Sequence, residues 1–243
     1  MSAQLSEKDS ILNARKIYYL LFSRLFMFSN NKNRFSNVVE ILDQINQAPL
    51  NIQSQEASQS LILKFQNLDL IAQEFDDIFH TPPSPVRNTF SFYEEGYEAG
   101  RACARVRGLL AKTDIRRDES EFKENEDNVG FCFAFMFELI SKALNGDEKA
   151  DELSKELFTT IINPYIDEFI EAINSHKEAN AYIDINVLLK SFIEFERICY
   201  EAPKPVVEKK IKEVDGISRS EALRREQNRA RRKAEKNLQE RKE

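Results

Sequence analysis

The chain has 243 residues, 42% apolar and 31% charged, with a formal net charge of −6 and 18 phenylalanines but no tryptophan. That length supports a buried core. Six glycines and seven prolines are too few for the many turns of a sheet protein, which excludes a sandwich or barrel and points to long helices. Cys103, Cys132 and Cys199 form an odd, widely spaced set, so no disulfide framework or CxxC site is readable.

Charge is spread unevenly. Residues 204–243 carry fourteen basic and eight acidic side chains, leaving 21 basic against 33 acidic in residues 1–203. An acidic body repels nucleic acid and suits basic peptides. The start, MSAQLSEKDS, is polar and acid-bearing, unlike a signal peptide. No run of about 18 apolar residues is present to span a membrane. The expectation is a cytoplasmic protein without membrane insertion.

In chain order, Ser6 with Asp9 resembles a capping box. Leu12, Tyr18, Leu21, Leu25 and Phe28 then recur at helical steps over 11–28. Residues 30–33 break the pattern, and Phe35, Val38, Val39, Leu42 and Ile45 predict a second helix ending before Pro49. Residues 50–56 read as a loop. Residues 61–65 and 68–79 predict one or two further helices, with Leu68, Ile71, Phe75 and Ile78 on one stripe. Pro82, Pro83 and Pro85 then forbid a helical interior, making 80–90 a loop or hinge.

Residues 94–112 predict a helix in which Gly96 and Gly100, four apart, offer a close-approach face. The acidic run 118–127 reads as a loop. From Asn128 to Leu144 the sequence is apolar almost all round, as expected of a helix buried on every side. Residues 148–162 and 164–174 predict a helix pair in which Pro164 either kinks one helix or opens the second. Asp184 reads as the N-cap of a last helix over 185–200, and Pro203 and Pro205 close the body. Ser218 can cap a charged run with only Leu223 and Leu238 as large apolar residues, a solvated helix or partly ordered tail.

Catalytic signatures are absent: there is no GxxxxGK[ST], GxGxxG or GxSxG. Two distant histidines, His80 and His176, are poor material for a metal centre or a catalytic triad. His80 reads as a surface or capping group. The carboxylate groups Glu74, Asp76, Asp77 and Glu94, Glu95, Glu98 lack the Glu-x-x-His pairs of helical di-metal sites and read as solvated. No cofactor and no metal are expected. In the tail, Arg224, Arg225, Arg229, Arg231, Arg232 and Lys233 are interrupted by acids and lack interleaved aromatics. They fit a solubilising or docking tail better than a nucleic-acid contact. Asp127 carries two readings of equal standing: a cap of the central helix, and an anionic contact at the mouth of a groove.

Four stretches in order are similar to the TorD/DmsD-type chaperones of molybdoenzyme maturation. They are Ala14–Phe26 (ARKIYYLLFSRLF), Glu74–Pro82 (EFDDIFHTP), Phe92–Tyr97 (FYEEGY) and Glu126–Met136 (EDNVGFCFAFM). The likeness runs over most of residues 10–200. Asn128 stands where that family usually has His, and Asn cannot titrate near neutrality. The resemblance implies an all-α, TorD-like helical bundle over residues 1–203; it does not extend to residues 204–243, whose composition reads as a basic, helical tail. It implies a cytoplasmic chaperone, not an enzyme. Its partner would be the precursor of a molybdoenzyme catalytic subunit with its twin-arginine signal peptide, the client belonging to the formate dehydrogenase or dimethyl sulfoxide reductase group. Peptide-binding residues implied on these motifs are Glu126, Asp127 and Asn128, with Glu94 and Glu95 as further acids and Phe75, Phe79, Phe92 and Tyr93 as an apolar wall. The competing reading is a helical adaptor whose basic tail docks an acidic partner.

Overall fold

A computed structural model describes residues 7–29, 34–120 and 122–206. The capping residue Ser6, the break at 30–33 and the tail from 207 onward lie outside them. The described residues are helical, with one isolated antiparallel bridge between Thr89 and Asn128.

Helix α1 (Glu7–Phe26) buries Tyr18, Tyr19, Leu21, Phe22, Leu25 and Phe26. It lies along α7 (Val129–Leu144), the helix expected to be buried all round. Gly130 permits that approach, because a Cβ there would strike the backbone of Phe26 and Met27. The rings of Phe22, Phe26, Phe133 and Phe192 meet at the centre, with centroids about 6 Å apart. Burial of such rings is the main stabilising term, roughly 1.5–3 kcal/mol for each.

Helix α2 (Val38–Gln47) starts later than its apolar pattern, since Asn37 takes a left-handed conformation (φ 63°). Phe35 remains buried in the preceding turn, its ring edge-on to Phe65. Helix α3 (Ile52–Lys64) corrects the loop expected at 50–56. Asn51 accepts the Ser54 N–H at 2.8 Å and Ser54 Oγ accepts the Asn51 N–H at 3.0 Å, a capping box that starts the helix in polar sequence. Helix α4 (Leu68–Phe79) ends at His80, whose Nδ1 lies 2.9 Å from Asp76.

The single helix expected over 94–112 is two, α5 (Phe90–Glu95) and α6 (Arg101–Ala111). Gly96 breaks it with a positive φ of 81°. Gly100 does not serve as a close-approach face; it is the N-cap position of α6, where a Cβ would strike the Glu95 carboxylate. After α7 come α8 (Glu148–Leu157), a π-helical turn (Phe158–Ile162) and α9 (Asn163–Asn174), with Pro164 in the first turn of α9. Pro164 therefore opens a second helix, where its missing N–H is harmless.

Helix α10 (Ala181–Cys199) packs against α3 and α9. It starts one turn before Asp184, which is not its N-cap and pairs instead with Ser60 (2.6 Å) and Lys64 (2.8 Å). The start is capped from another helix. Glu74 of α4 accepts the N–H groups of Asn180 (2.7 Å), Ala181 (3.0 Å) and Tyr182 (2.9 Å). Glu74 is thus no solvated acid.

Candidate functional site

Asn128, not Asp127, caps the central helix: its side-chain oxygen accepts the Phe131 N–H at 3.1 Å. Its amide donates to Glu124 Oε2, which also accepts from Asn88 Nδ2 at 3.1 Å. Burial raises the Glu124 carboxyl above its usual range. The backbone of Asn128 bridges to Thr89, so the loop before α5 and the loop before α7 are stitched together.

Asp127 is fully buried. Its Oδ2 accepts the Ser91 N–H at 2.8 Å and its backbone carbonyl accepts the Phe90 N–H at 3.0 Å, so it caps α5 across 36 residues of sequence. Its Oδ1 has no hydrogen-bond partner. Both Cys103 and Cys132 feel its charge, but burial is the larger cause of their raised pKa values, about 11 for Cys103. These are neutral, packed thiols.

Three carboxylates nearer the surface, Glu94 and Glu95 of α5 and Glu126 of the loop before α7, are each engaged with guanidinium. Glu94 takes Arg105 in two parallel bonds of 3.1 and 2.8 Å. Glu95 accepts Arg101 Nε at 2.8 Å and the Arg101 N–H at 2.7 Å. Glu126 meets Arg107 Nε at 2.8 Å and Arg117 at 3.4 Å. The Arg101 N–H is the chief reason that the Glu95 carboxyl sits below the usual range. Burial pushes Glu126 upward, but its own N–H, Arg107 and Arg117 outweigh that and leave it lowered. The acids, which we call the acid floor, are each held by these bonds while two of their partners lie out in solvent. The Glu94, Glu95 and Glu126 side chains are 11–12% exposed, against 70% for Arg101 and 55% for Arg107.

The expected apolar wall is mostly core. Phe75, Phe79 and Tyr93 are buried. Their rings run in a line through Phe169, with Phe75–Phe79 at 4.8 Å, Phe79–Phe169 at 6.2 Å and Tyr93–Phe169 at 6.1 Å. The Tyr93 hydroxyl donates to the Arg87 carbonyl at 2.7 Å. Phe92 alone of the four is only partly buried, with Arg87 5.9 Å above its ring.

Sequence reasoning found the acids and missed the arginines and Ser91. Ser91 is a hub whose Oγ accepts the N–H groups of Gly100 (2.9 Å) and Cys103 (3.2 Å). Glu94 and Arg105 are eleven residues apart, a spacing that brings them together only because the chain breaks at Gly96.

Among the described residues no group of His, Cys, Asp and Glu could hold a metal ion, and no helix is long and apolar enough to cross a membrane. No curated protein matches the chain. Among solved structures, one from Archaeoglobus fulgidus, described as a candidate redox enzyme maturation protein, is similar at 15% identity with a TM-score of 0.49, covering 81% of this chain and 98% of that one. A family model described as nitrate reductase delta subunit matches residues 48–171, half of the chain, from the end of α2 into α9. That span holds every acid and arginine of the cluster, and the chain belongs to the nitrate reductase delta subunit family, the TorD-like chaperones of molybdoenzyme maturation.

Proposed function

We propose that this chaperone works in the cytoplasm and binds the twin-arginine signal peptide and immature catalytic subunit of a molybdoenzyme of the formate dehydrogenase or dimethyl sulfoxide reductase group, holding it until its cofactor is inserted before export. The observation that carries this reading is the state of the acid floor. Glu94, Glu95 and Glu126 are held in place and bind guanidinium groups, and Arg101 and Arg107 reach them from solvent. Paired arginines of a peptide can exchange with those two side chains at little net cost, because exposed ion pairs contribute about 0–1 kcal/mol each. Affinity then rests on charge-assisted bonds to the floor and on apolar contact beside Phe92. Asp127 and Asn128 act behind the floor as positioning residues that fix α5 against α7.

The test is a fluorescence-anisotropy titration with a labelled peptide bearing two adjacent arginines and an apolar segment. The Glu95→Gln/Glu126→Gln variant, which removes the two acids that Arg101 and Arg107 occupy, is expected to bind roughly tenfold or more weakly, about 1.4 kcal/mol, with an unchanged circular-dichroism spectrum. Equal affinity in variant and wild type would sink the reading.

A further inference from the structure

Helix α3 carries large apolar residues where a helix normally carries charge. At about 100° per residue, Ile52, Glu56, Gln59 and Leu63 fall within about 60° of one another. They lie opposite the buried Ser54, Ala57, Ser58 and Leu61 that face the core. Ile52 and Leu63 are 72% and 74% exposed, and Leu70, just past the next turn, is 64% exposed. An isolated exposed leucine is ordinary; two aliphatic residues on the outward line of one helix, three turns apart, are a patterned face.

The pattern is a palindrome. Ile52 and Leu63 are equidistant from the point midway between Ala57 and Ser58, and so are Glu56 and Gln59. The steps of four, three and four residues have the spacing of a coiled-coil seam, with aliphatic residues at the two outer positions and polar ones at the two inner positions. A second copy of α3 laid antiparallel about a two-fold axis through that point sets Ile52 against Leu63 twice. It also sets each Glu56 against a Gln59, whose amide can donate to the carboxylate. Isologous pairing demands this self-complementarity of one patch with itself, and antiparallel helices also oppose their dipoles favourably. An apolar peptide segment would call for a continuous apolar groove, which Glu56 and Gln59 interrupt.

We infer that the outward face of α3 is a homodimer contact, its occupant a second copy of this chain. The inference does not rest on the peptide-binding proposal, since α3 packs against α2 and α10 while the acid floor belongs to α5, α6 and the loop before α7. Four seam residues a side fall well short of the roughly 20–30 of a standard interface, so the dimer is weak and concentration-dependent.

Sedimentation velocity of the full chain from about 1 µM to about 1 mM, spanning weak affinities, should show the average mass rising from 28.3 kDa toward twice that value. Leu63→Glu should remain monomeric over the same range with an unchanged melting curve. In a Cys199→Ser background, Ile52→Cys chains mixed with Leu63→Cys chains should cross-link under mild oxidation, while either alone should not. A wild type monomeric throughout, a mass rise that Leu63→Glu does not abolish, or cross-linking of each variant with itself would overturn the inference. So would a monomer whose Leu63→Glu variant loses its client peptide, which would give the face to the client.

Discussion

Asp127 and Glu74 are both acids that close a helix distant in sequence, but their oxygens are satisfied to different degrees. Both Glu74 oxygens accept backbone N–H groups. Asp127 uses only Oδ2, which accepts the Ser91 backbone N–H, leaving Oδ1 buried without a donor. A buried charge with an empty acceptor is costly, so the two substitutions at this position should differ. In Asp127→Asn the amide oxygen can still accept from Ser91 and no charge is buried, so stability should change by less than about 1 kcal/mol. Asp127→Ala leaves the Ser91 N–H unpaired inside the protein and should cost about 1–3 kcal/mol. Urea titration of both variants measures the difference; equal losses would mean that the carboxylate charge, not the hydrogen bond, is what the position requires. The sequence exposed Asp127 as a special acid because it precedes an apolar helix. Its actual target, α5, was hidden, since nothing local in Asp127 points to a helix start 36 residues away.

At the level of elements, legibility followed how locally each helix is determined. Helix α7 was readable because its own residues are apolar in every direction, and α1 because its stripe is wide. The start of α3 depends on the Asn51–Ser54 exchange in polar sequence, and the break between α5 and α6 on one positive φ at Gly96. Helix α10 is the extreme case, because its N-terminus is set by Glu74 on α4 and Asp184 serves as a bridge to α3. Three N–H groups otherwise left without partners meet one carboxylate at the positive end of the helix dipole. Glu74→Ala is therefore expected to destabilise by about 1–2 kcal/mol and to raise amide exchange at Asn180–Tyr182 before it rises elsewhere. Glu74→Gln should lose less, because it keeps an acceptor oxygen. Hydrogen exchange followed by mass spectrometry reads both effects; protection at 180–182 unchanged in Glu74→Ala would rule the cap out as the controlling contact.

Across the whole molecule, the two ends of the described chain are tied by a buried ion pair that no periodicity could disclose. Arg15 of α1 meets Glu196 of α10 through Nε at 2.6 Å and a second nitrogen at 3.0 Å. The Tyr19 hydroxyl donates to the same carboxylate at 2.6 Å. The Arg15 guanidinium lies 4.3 Å from the Tyr200 ring centre, and the Tyr200 hydroxyl is 2.8 Å from Ser154 of α8. Burial works against the Arg15 charge, and Glu196 more than offsets it, so arginine stays ionised. Such a pair gives little net stability against an apolar replacement, but removing one member strands the other. Arg15→Met should accordingly cost about 3–5 kcal/mol, and Arg15→Met/Glu196→Leu should recover most of that loss. Urea is the denaturant to use, because it is uncharged and leaves the ionic strength unchanged. If the double variant is as unstable as the single one, packing around the arginine stem rather than charge pairing holds α1 to α10, and the network is then valuable for its shape. Recovery would mean that the bundle is held by its phenylalanine core, with the ion pair selecting which face of α10 meets α1.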